Sequence, residues 1–289
     1  MIQSMTGFGK AEKEFCGKKV TVEIKSLNSK QMDINARIPA IYRDKEMDMR
    51  NLLFQRIERG KVDFTLTVDF YGKTSPNRIN TTLAESYFND LKEISEKLGI
   101  EPPADWFASL VQLPDIVKTD VKDTDEEEWK FLKQTVLQAI EALVAFRTQE
   151  GEMLEKLFVE KIAAIKALSL EIEKYEDERI DKIKSHLQEN LGLLDVNYDK
   201  NRYEQELIYY IDRLDINEEK NRLANHLKYF LETMKLEKSQ GRKLGFIVQE
   251  IGREVNTLGS KSNHAEMQKV VVRMKDELEQ IKEQILNVL

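Results

Sequence analysis

At 289 residues, with 41% hydrophobic and 34% charged side chains, the chain has enough apolar matter for two ordinary domains with buried cores, and its composition is not that of a disordered protein. A single cysteine, Cys16, excludes an internal disulfide; with no secretory stretch behind Met1 and no window near 18 consecutive apolar residues, a cytoplasmic chain without a membrane span is expected. Net charge is −7, yet residues 1–80 carry 15 Lys/Arg against 10 Asp/Glu while the rest is acidic, which suits phosphate contacts in the first part and divalent cations or mere solubility in the second; ordinary variation between domains gives the same numbers.

In chain order, Ser4-Met5-Thr6-Gly7-Phe8-Gly9 is too glycine-rich for a regular strand interior and predicts a bulged strand or a loop that another backbone approaches. Lys19–Ile24 and Lys61–Val68 alternate polar and apolar residues as half-buried strands do. Between them, after Pro39, a helix is expected over Asp44–Glu58 with Met47, Leu52, Leu53 and Ile57 as its stripe. Residues 1–100 therefore read as a basic α+β domain. Residues 101–128, with Pro102, Pro103, Pro114 and the acidic run Asp120–Glu128, read as a connection. A helical arm follows over 129–200, where Trp129, Leu132, Val136, Ile140, Leu143, Ile162, Ile165 and Ile172 keep helical spacing. Sixty unbroken helical residues would reach roughly 90 Å, so this arm must pair with other helices or extend within an oligomer. Helices are also expected near 175–190, 200–214, 217–238, 243–258 and 264–288, and residues 201–289 form a helical domain. In the last helix Val271, Met274, Leu278, Ile281, Ile285 and Val288 alternate spacings of three and four, a coiled-coil-like seam. The fold class is α+β, with a mainly α-helical C-terminal half.

Several polar clusters lie on these helices. Asp215-Ile216-Asn217-Glu218 has capping-box spacing. It opens a helix on which Glu219, Arg222 and His226 share one margin of the apolar stripe. A neighbouring glutamate satisfies His226, or His226 moves protons while Arg222 holds phosphate. In the next helix Glu250 and Glu254 stand four apart, a like-charge pair that costs a few tenths of a kcal/mol, roughly, in isolation. Arg253 offsets it, or a divalent cation does. Gly245 and Gly252 share a face of this helix and suggest a close neighbour. Glu279 and Glu283 repeat the carboxylate spacing on the last helix, where Lys282 is the alternative to a completed metal site. Phosphate-loop, dinucleotide-binding, nucleophile-elbow and Cys-x-x-Cys patterns are absent, and three scattered histidines do not make a zinc centre. Carboxylate and phosphate chemistry remains.

The order of motifs resembles the YicC/YloC family of endoribonucleases. The first part supplies Ser4–Gly9, Glu23-Ile24-Lys25-Ser26-Leu27-Asn28, Arg37-Ile38-Pro39 and Gly60-Lys61-Val62, and the centre supplies Phe146-Arg147-Thr148-Gln149-Glu150-Gly151. The helical part supplies Asp215–Glu219, Arg222–Leu227, Gly241-Arg242-Lys243-Leu244, Gln249-Glu250, Arg253–Thr257 and Ser260-Lys261. The resemblance implies an endoribonuclease acting on single-stranded RNA in RNA turnover, dependent on Mg²⁺ or Mn²⁺ and assembled as a homohexamer whose helical parts form a clamshell. An exoribonuclease is a conceivable further partner, whereas membranes are not, and no DNA preference is expected. Glu250, Glu254, His226, Arg222 and Arg253 are the implied catalytic residues, with Glu250, Glu254, Glu279 and Glu283 toward metal. Lys25, Asn28, Lys30, Arg37, Lys61, Arg242, Lys243 and Lys261 are those toward RNA. The chain departs from the family pattern at Gly245, where Asp is usual, at Gly252, where Asn is usual, at Ser29-Lys30 in place of His-Arg, and at Leu289, where Glu is common. Two alternatives need no carboxylate pair: an adaptor that binds RNA and delivers it to another nuclease, and a helical scaffold.

Overall fold

The computed structural model describes residues 2–29, 31–71, 77–101, 103, 105–119, 124–193, 200–236 and 240–289. They fall into two compact units, Gly7–Val144 and Met1–Thr6 with Ala145–Leu289.

The first unit is built on strands β1 (Gly7–Phe15), β2 (Lys18–Leu27), β3 (Met32–Arg37) and β4 (Gly60–Phe70), in the order β1-β2-β4-β3. A two-residue turn joins β1 and β2; both of its residues, Cys16 (φ 46°) and Gly17 (φ 76°), have the positive φ that a tight hairpin with right-handed twist requires. β2 and β4 are antiparallel, whereas β3 runs parallel to β4. A parallel neighbour needs a crossover, supplied by a 3-10 turn (Ala40–Lys45) and helix α1 (Glu46–Arg56). Strand alternation sends Val20, Val22 and Ile24 of β2 and Val62, Phe64 and Leu66 of β4 to one face, where each is at most 2% exposed. Burial of such a side chain contributes about 1.5–3 kcal/mol. They pack with Tyr42, with Met49 and Leu53 of α1, and with Leu132, Val136, Ala139, Ile140 and Leu143 of the long helix described below.

Met47 is corrected by this packing. It stands 68% exposed, and the buried stripe of α1 is Met49, Leu53 and then Ile57. Met47 lies 200° around the helix from Met49, so both cannot face the sheet. The stretch 101–128, expected as a bare connection, contains helix α3 (Trp106–Val111) and strand β6 (Val117–Thr119), which pairs with β5 (Asn77–Ile79). Helix α2 (Thr81–Leu98) starts at Asn80, whose side chain accepts from the Leu83 N–H, and stops at Gly99 in the left-handed region. Pro102 and residues 120–123 of the acidic run lie outside the described residues.

Helix α4 (Glu126–Ile172) contributes to both units and is 47 residues long, about 70 Å at 1.5 Å per residue. A 3-10 turn at Glu173–Tyr175 separates it from α5 (Glu176–Leu193), so the arm is not one continuous helix. The second unit continues with α6 (Lys200–Arg213), α7 (Asn217–Met234), α8 (Gly241–Lys261) and α9 (Ala265–Ile285). Its core joins Phe158, Ile162 and Ile165 of α4 to the stripes of α7, α8 and α9; the expected seam Val271, Met274, Leu278, Ile281, Ile285 and Val288 is buried throughout. Among the described residues no helix is long and apolar enough to cross a membrane.

Two glycines of the quoted motifs are explained by close backbone approach. A Cβ on Gly9 would lie 2.1 Å from the Ala139 carbonyl oxygen of α4, and one on Gly151 would lie 2.0 Å from the Ile2 carbonyl oxygen. Around Gly151 the two chain ends are woven together. Ser4 N–H donates to the Arg147 carbonyl at 3.0 Å, Met5 N–H to Asn287 at 2.7 Å and Leu289 N–H to Gln3 at 2.9 Å, and the Arg147 guanidinium donates to the Met5 carbonyl at 3.1 Å. The Ser-Met-Thr and Phe-Arg-Thr-Gln-Glu-Gly segments thus meet in one structural seam.

Candidate functional site

Helix α7 begins one residue later than the capping box predicts. Ile216 occupies the cap position, and Asp215 instead accepts from the Asn217 backbone N–H at 3.2 Å and its side-chain amide at 2.8 Å. Glu218 is drawn to Arg222, 2.5 Å away.

A short connection returns the chain into α8, and two contacts tie facing margins of the two helices. At one end Lys261 donates to the Glu219 carboxylate at 2.7 Å and to the Asp215 carbonyl at 2.8 Å. At the other, the Lys243 ammonium lies over the Tyr229 ring, 4.9 Å from its centroid. Because the start of α7 meets the end of α8, the pair is antiparallel. Glu254 is seven residues before Lys261 and His226 seven after Glu219, so each lies about two turns inward on nearly the same face as its helix-mate. His226, Glu250 and Glu254 therefore lie along the polar seam between the two ties. Sequence spacing gave the margin of each helix; that the two margins face each other is a tertiary fact.

The seam is electrostatically uneven. Glu250 is paired with Arg253 at 2.7 Å in a largely solvated contact, the kind worth at most about 1 kcal/mol. Glu254 is 8% exposed and has no hydrogen-bond or ion-pair partner among the described residues. Neither of its oxygens is among the fully buried unpartnered side-chain atoms of the described residues, so the carboxylate reaches solvent at the seam and is open to a ligand from outside. His226, half-buried, likewise has no partner among the described residues, so the expected glutamate does not satisfy it. Glu219 is 6% exposed and one of its oxygens, Oε2, is unpartnered. Lys261 is committed to holding α8 against α7, and Lys243 to Tyr229, whereas Arg242 is exposed.

The four-glutamate metal set does not come together. Among the described residues no three His, Cys, Asp or Glu side chains are gathered as a metal would need. Helix α9 meets α8 along its other margin: a Cβ on Gly252 would touch Leu278 Cδ2 at 3.4 Å and one on Gly259 would press Val271 Cγ1 at 3.0 Å. Glu279 and Glu283 point outward on α9, exposed, and Glu279 is paired with Lys282 at 3.0 Å. What fits a hard cation is the smaller set Glu250 and Glu254, since Mg²⁺ is commonly held by one or two carboxylates with waters and substrate phosphates completing its shell. Among the described residues nothing lies within 4 Å of a Cβ built on Gly245, so close helix approach does not explain it; α9 comes close at Gly252 and, more tightly, at Gly259.

In the first unit the sheet face turned away from the core carries a second polar group. Strand register sets Phe8, Lys25, Asp63 and Asn35 in one row across β1, β2, β4 and β3, and Lys10, Glu23, Thr65 and Arg37 in the next. Asn35 donates to Asp63 at 2.9 Å. Glu23, Lys25, Asn35, Arg37, Asp63 and Thr65 line a cavity of about 180 Å³. Lys25, Arg37 and Lys61 are exposed and lack ion-pair partners among the described residues. Lys30 lies outside the described residues, and Asn28 is exposed at the end of β2. Phe8, Glu23, Asn35, Asp63 and Thr65 were missed in the sequence because only strand pairing brings them beside Lys25 and Arg37. Elsewhere in this unit the Tyr42 hydroxyl and Lys18 share the Glu128 carboxylate, and burial followed by that hydrogen bond raises the phenol pKa well above its ordinary value.

Family comparison agrees with the motif order. Residues 2–156 match the model described as endoribonuclease YicC-like, N-terminal region, and residues 172–289 match the endoribonuclease YicC-like C-terminal model. A protein of Clostridioides difficile named probable endoribonuclease YicC is 36% identical over 293 residues, covering 100% of both chains. One of the same name from Haemophilus influenzae is 29% identical over 99% of both. With the two models together spanning nearly all of the sequence, the chain belongs to the YicC-like endoribonuclease family.

Proposed function

We propose that this protein is an endoribonuclease that cuts single-stranded RNA with the aid of a divalent cation, and that the seam between α7 and α8 is where it does so. The observation that carries the reading is Glu254, a largely buried residue whose carboxylate has no partner among the described residues, on a margin shared with Glu250 and facing the helix that bears His226. Mg²⁺ or Mn²⁺ held by Glu250 and Glu254 would supply charge stabilisation at a phosphoryl oxygen or an activated water. His226, half-buried and without a partner among the described residues, is suited to carry a proton to or from the reacting oxygens. Arg222 and Arg253, on the solvated side of the seam, hold phosphate by exchanging their present glutamate partners for RNA. The long α4 and the exposed faces of the helical unit accord with assembly as a homohexamer closing on RNA, as the family resemblance implies; light scattering of the purified protein tests the stoichiometry.

A closed circle of single-stranded RNA has no ends, so opening it requires an internal cut. Wild-type protein is expected to open it with Mn²⁺ or Mg²⁺ and not with excess chelator, and a folded Glu250→Gln/Glu254→Gln variant is expected not to open it. Opening by that variant at the wild-type rate in saturating metal removes the carboxylates from the mechanism. A circle that is bound but stays closed under every condition favours the adaptor instead.

A further inference from the structure

We infer that the cavity on the open face of the four-stranded sheet is a nucleobase pocket, with Phe8 as its stacking wall and guanine as the base it fits best. The inference rests on RNA being the ligand, and it changes the role expected of Lys25 and Arg37 from backbone contact to base reading.

Charge is the first argument. The cavity is lined by two cations, Lys25 and Arg37, and two carboxylates, Glu23 and Asp63, so it is neutral as a whole. A phosphate placed there would meet both carboxylates, whereas a neutral heterocycle meets donors and acceptors of both kinds. Size is the second. About 180 Å³ is room for roughly six water molecules, the scale of one ring system and too little for a stretch of sugar–phosphate chain. Position is the third. Phe8 does not line the cavity itself, but it is directly opposite Lys25 in the β1–β2 register and 39% exposed, which puts an aromatic side chain on the same sheet face on the β1 side of the cavity. Single-stranded bases are commonly held by stacking on aromatic side chains that sit on a rigid surface, with their edges read by polar neighbours.

The donor and acceptor pattern selects among the bases. Guanine offers an amino donor on one edge and the O6 and N7 acceptors on another. Asp63, already fixed by the Asn35 amide, and Glu23, which Lys10 approaches at 3.4 Å, are acceptors, while Lys25 and Arg37 supply donors for the two acceptors of guanine. Both cations lack ion-pair partners among the described residues, so no bridge has to be broken before they donate.

The test uses the full-length protein in excess chelator, so that binding is read without cleavage. Fluorescence anisotropy follows a labelled twelve-nucleotide oligouridine and the same oligonucleotide with one central G, A or C, at several salt concentrations. The G-containing strand is expected to bind about tenfold more tightly, in line with one good bidentate base contact. Asp63→Ala and Phe8→Ala, both outside the buried face of the sheet, should abolish the preference and leave the salt dependence of oligouridine binding unchanged. A wild type without base preference, or an Asp63→Ala variant that keeps it, overturns the pocket while RNA binding stands. Lys25→Ala lowering the salt slope by roughly 0.7 while leaving any preference intact makes Lys25 a phosphate contact and also overturns the pocket. Absence of binding to every strand overturns RNA as the ligand and the pocket with it. Circular dichroism melts of each variant separate loss of fold from loss of recognition.

Discussion

Replacing Lys261 by methionine should expose how much the seam between α7 and α8 depends on a single ammonium group. The Glu219 side chain is 7% exposed and that of Lys261 29%, so the carboxylate is the more deeply buried partner of the pair. One oxygen of Glu219 has no partner even with Lys261 in place. Removing one member of a fully buried pair costs about 3–5 kcal/mol, because the other charge stays buried and uncompensated. Lys261 is partly solvated, so the cost falls below that range, at about 2–3 kcal/mol with the hydrogen bond to the Asp215 carbonyl included. Glu219→Met/Lys261→Met removes both charges and leaves two apolar chains of similar length, an exchange that is often neutral or stabilising. Urea unfolding of the wild type, both single variants and the double variant closes a thermodynamic cycle. A coupling energy of about 2 kcal/mol is expected. The reasoning is refuted if Lys261→Met costs less than about 0.5 kcal/mol, the ordinary surface value, or if the double variant is simply the sum of the singles.

Glycine substitutions separate packing from propensity. Gly9→Ala places a Cβ 2.1 Å from a backbone oxygen of α4 and should destabilise the first unit by about 3 kcal/mol or more, seen as a lowered melting temperature, whereas Gly245→Ala, with nothing within 4 Å, should stabilise its helix by about 1 kcal/mol. Acid should weaken the sheet through Glu12, whose carboxyl is held down to about 2 by its hydrogen bond to Lys10 and then by that to Lys19. A folded-state pKa below the unfolded one stabilises above the unfolded value, and the contribution is lost as pH falls toward 2. The stability difference between wild type and Glu12→Gln should therefore shrink between pH 5 and pH 2, and a constant difference across that window counts against the pairing.

Much of the fold was legible where one face of an element is buried. Alternation marked β2 and β4, and the three-four spacing of α9 marked a seam that is buried along its whole length. Met47 was misplaced because residues two apart cannot share a helix face, and only the docked sheet sets the phase of α1. The connection at 101–128 was read from its prolines, yet short elements form there once β5 offers β6 a partner. The capping box shifted by one residue because Asp215 is drawn into a local turn with Asn217.

Sequence by itself determined the family, through motif order over nearly the whole chain, and the residue types fit for phosphate and cation chemistry, because side-chain identity fixes what can ionise, donate or accept. It also placed Glu250 and Glu254 on one side of a helix and Glu219 and His226 on one margin of another, since a helical period needs no partner to be read. Only the tertiary structure decided which margins face each other, and so which glutamates share a seam. Helix packing set Glu279 and Glu283 apart from Glu250 and Glu254, and left Glu254 largely buried with no partner among the described residues. Strand register, in the same way, gathered Glu23, Lys25, Asn35, Arg37, Asp63 and Thr65 from three strands. Contacts between elements depend on packing and register, which no single segment encodes alone.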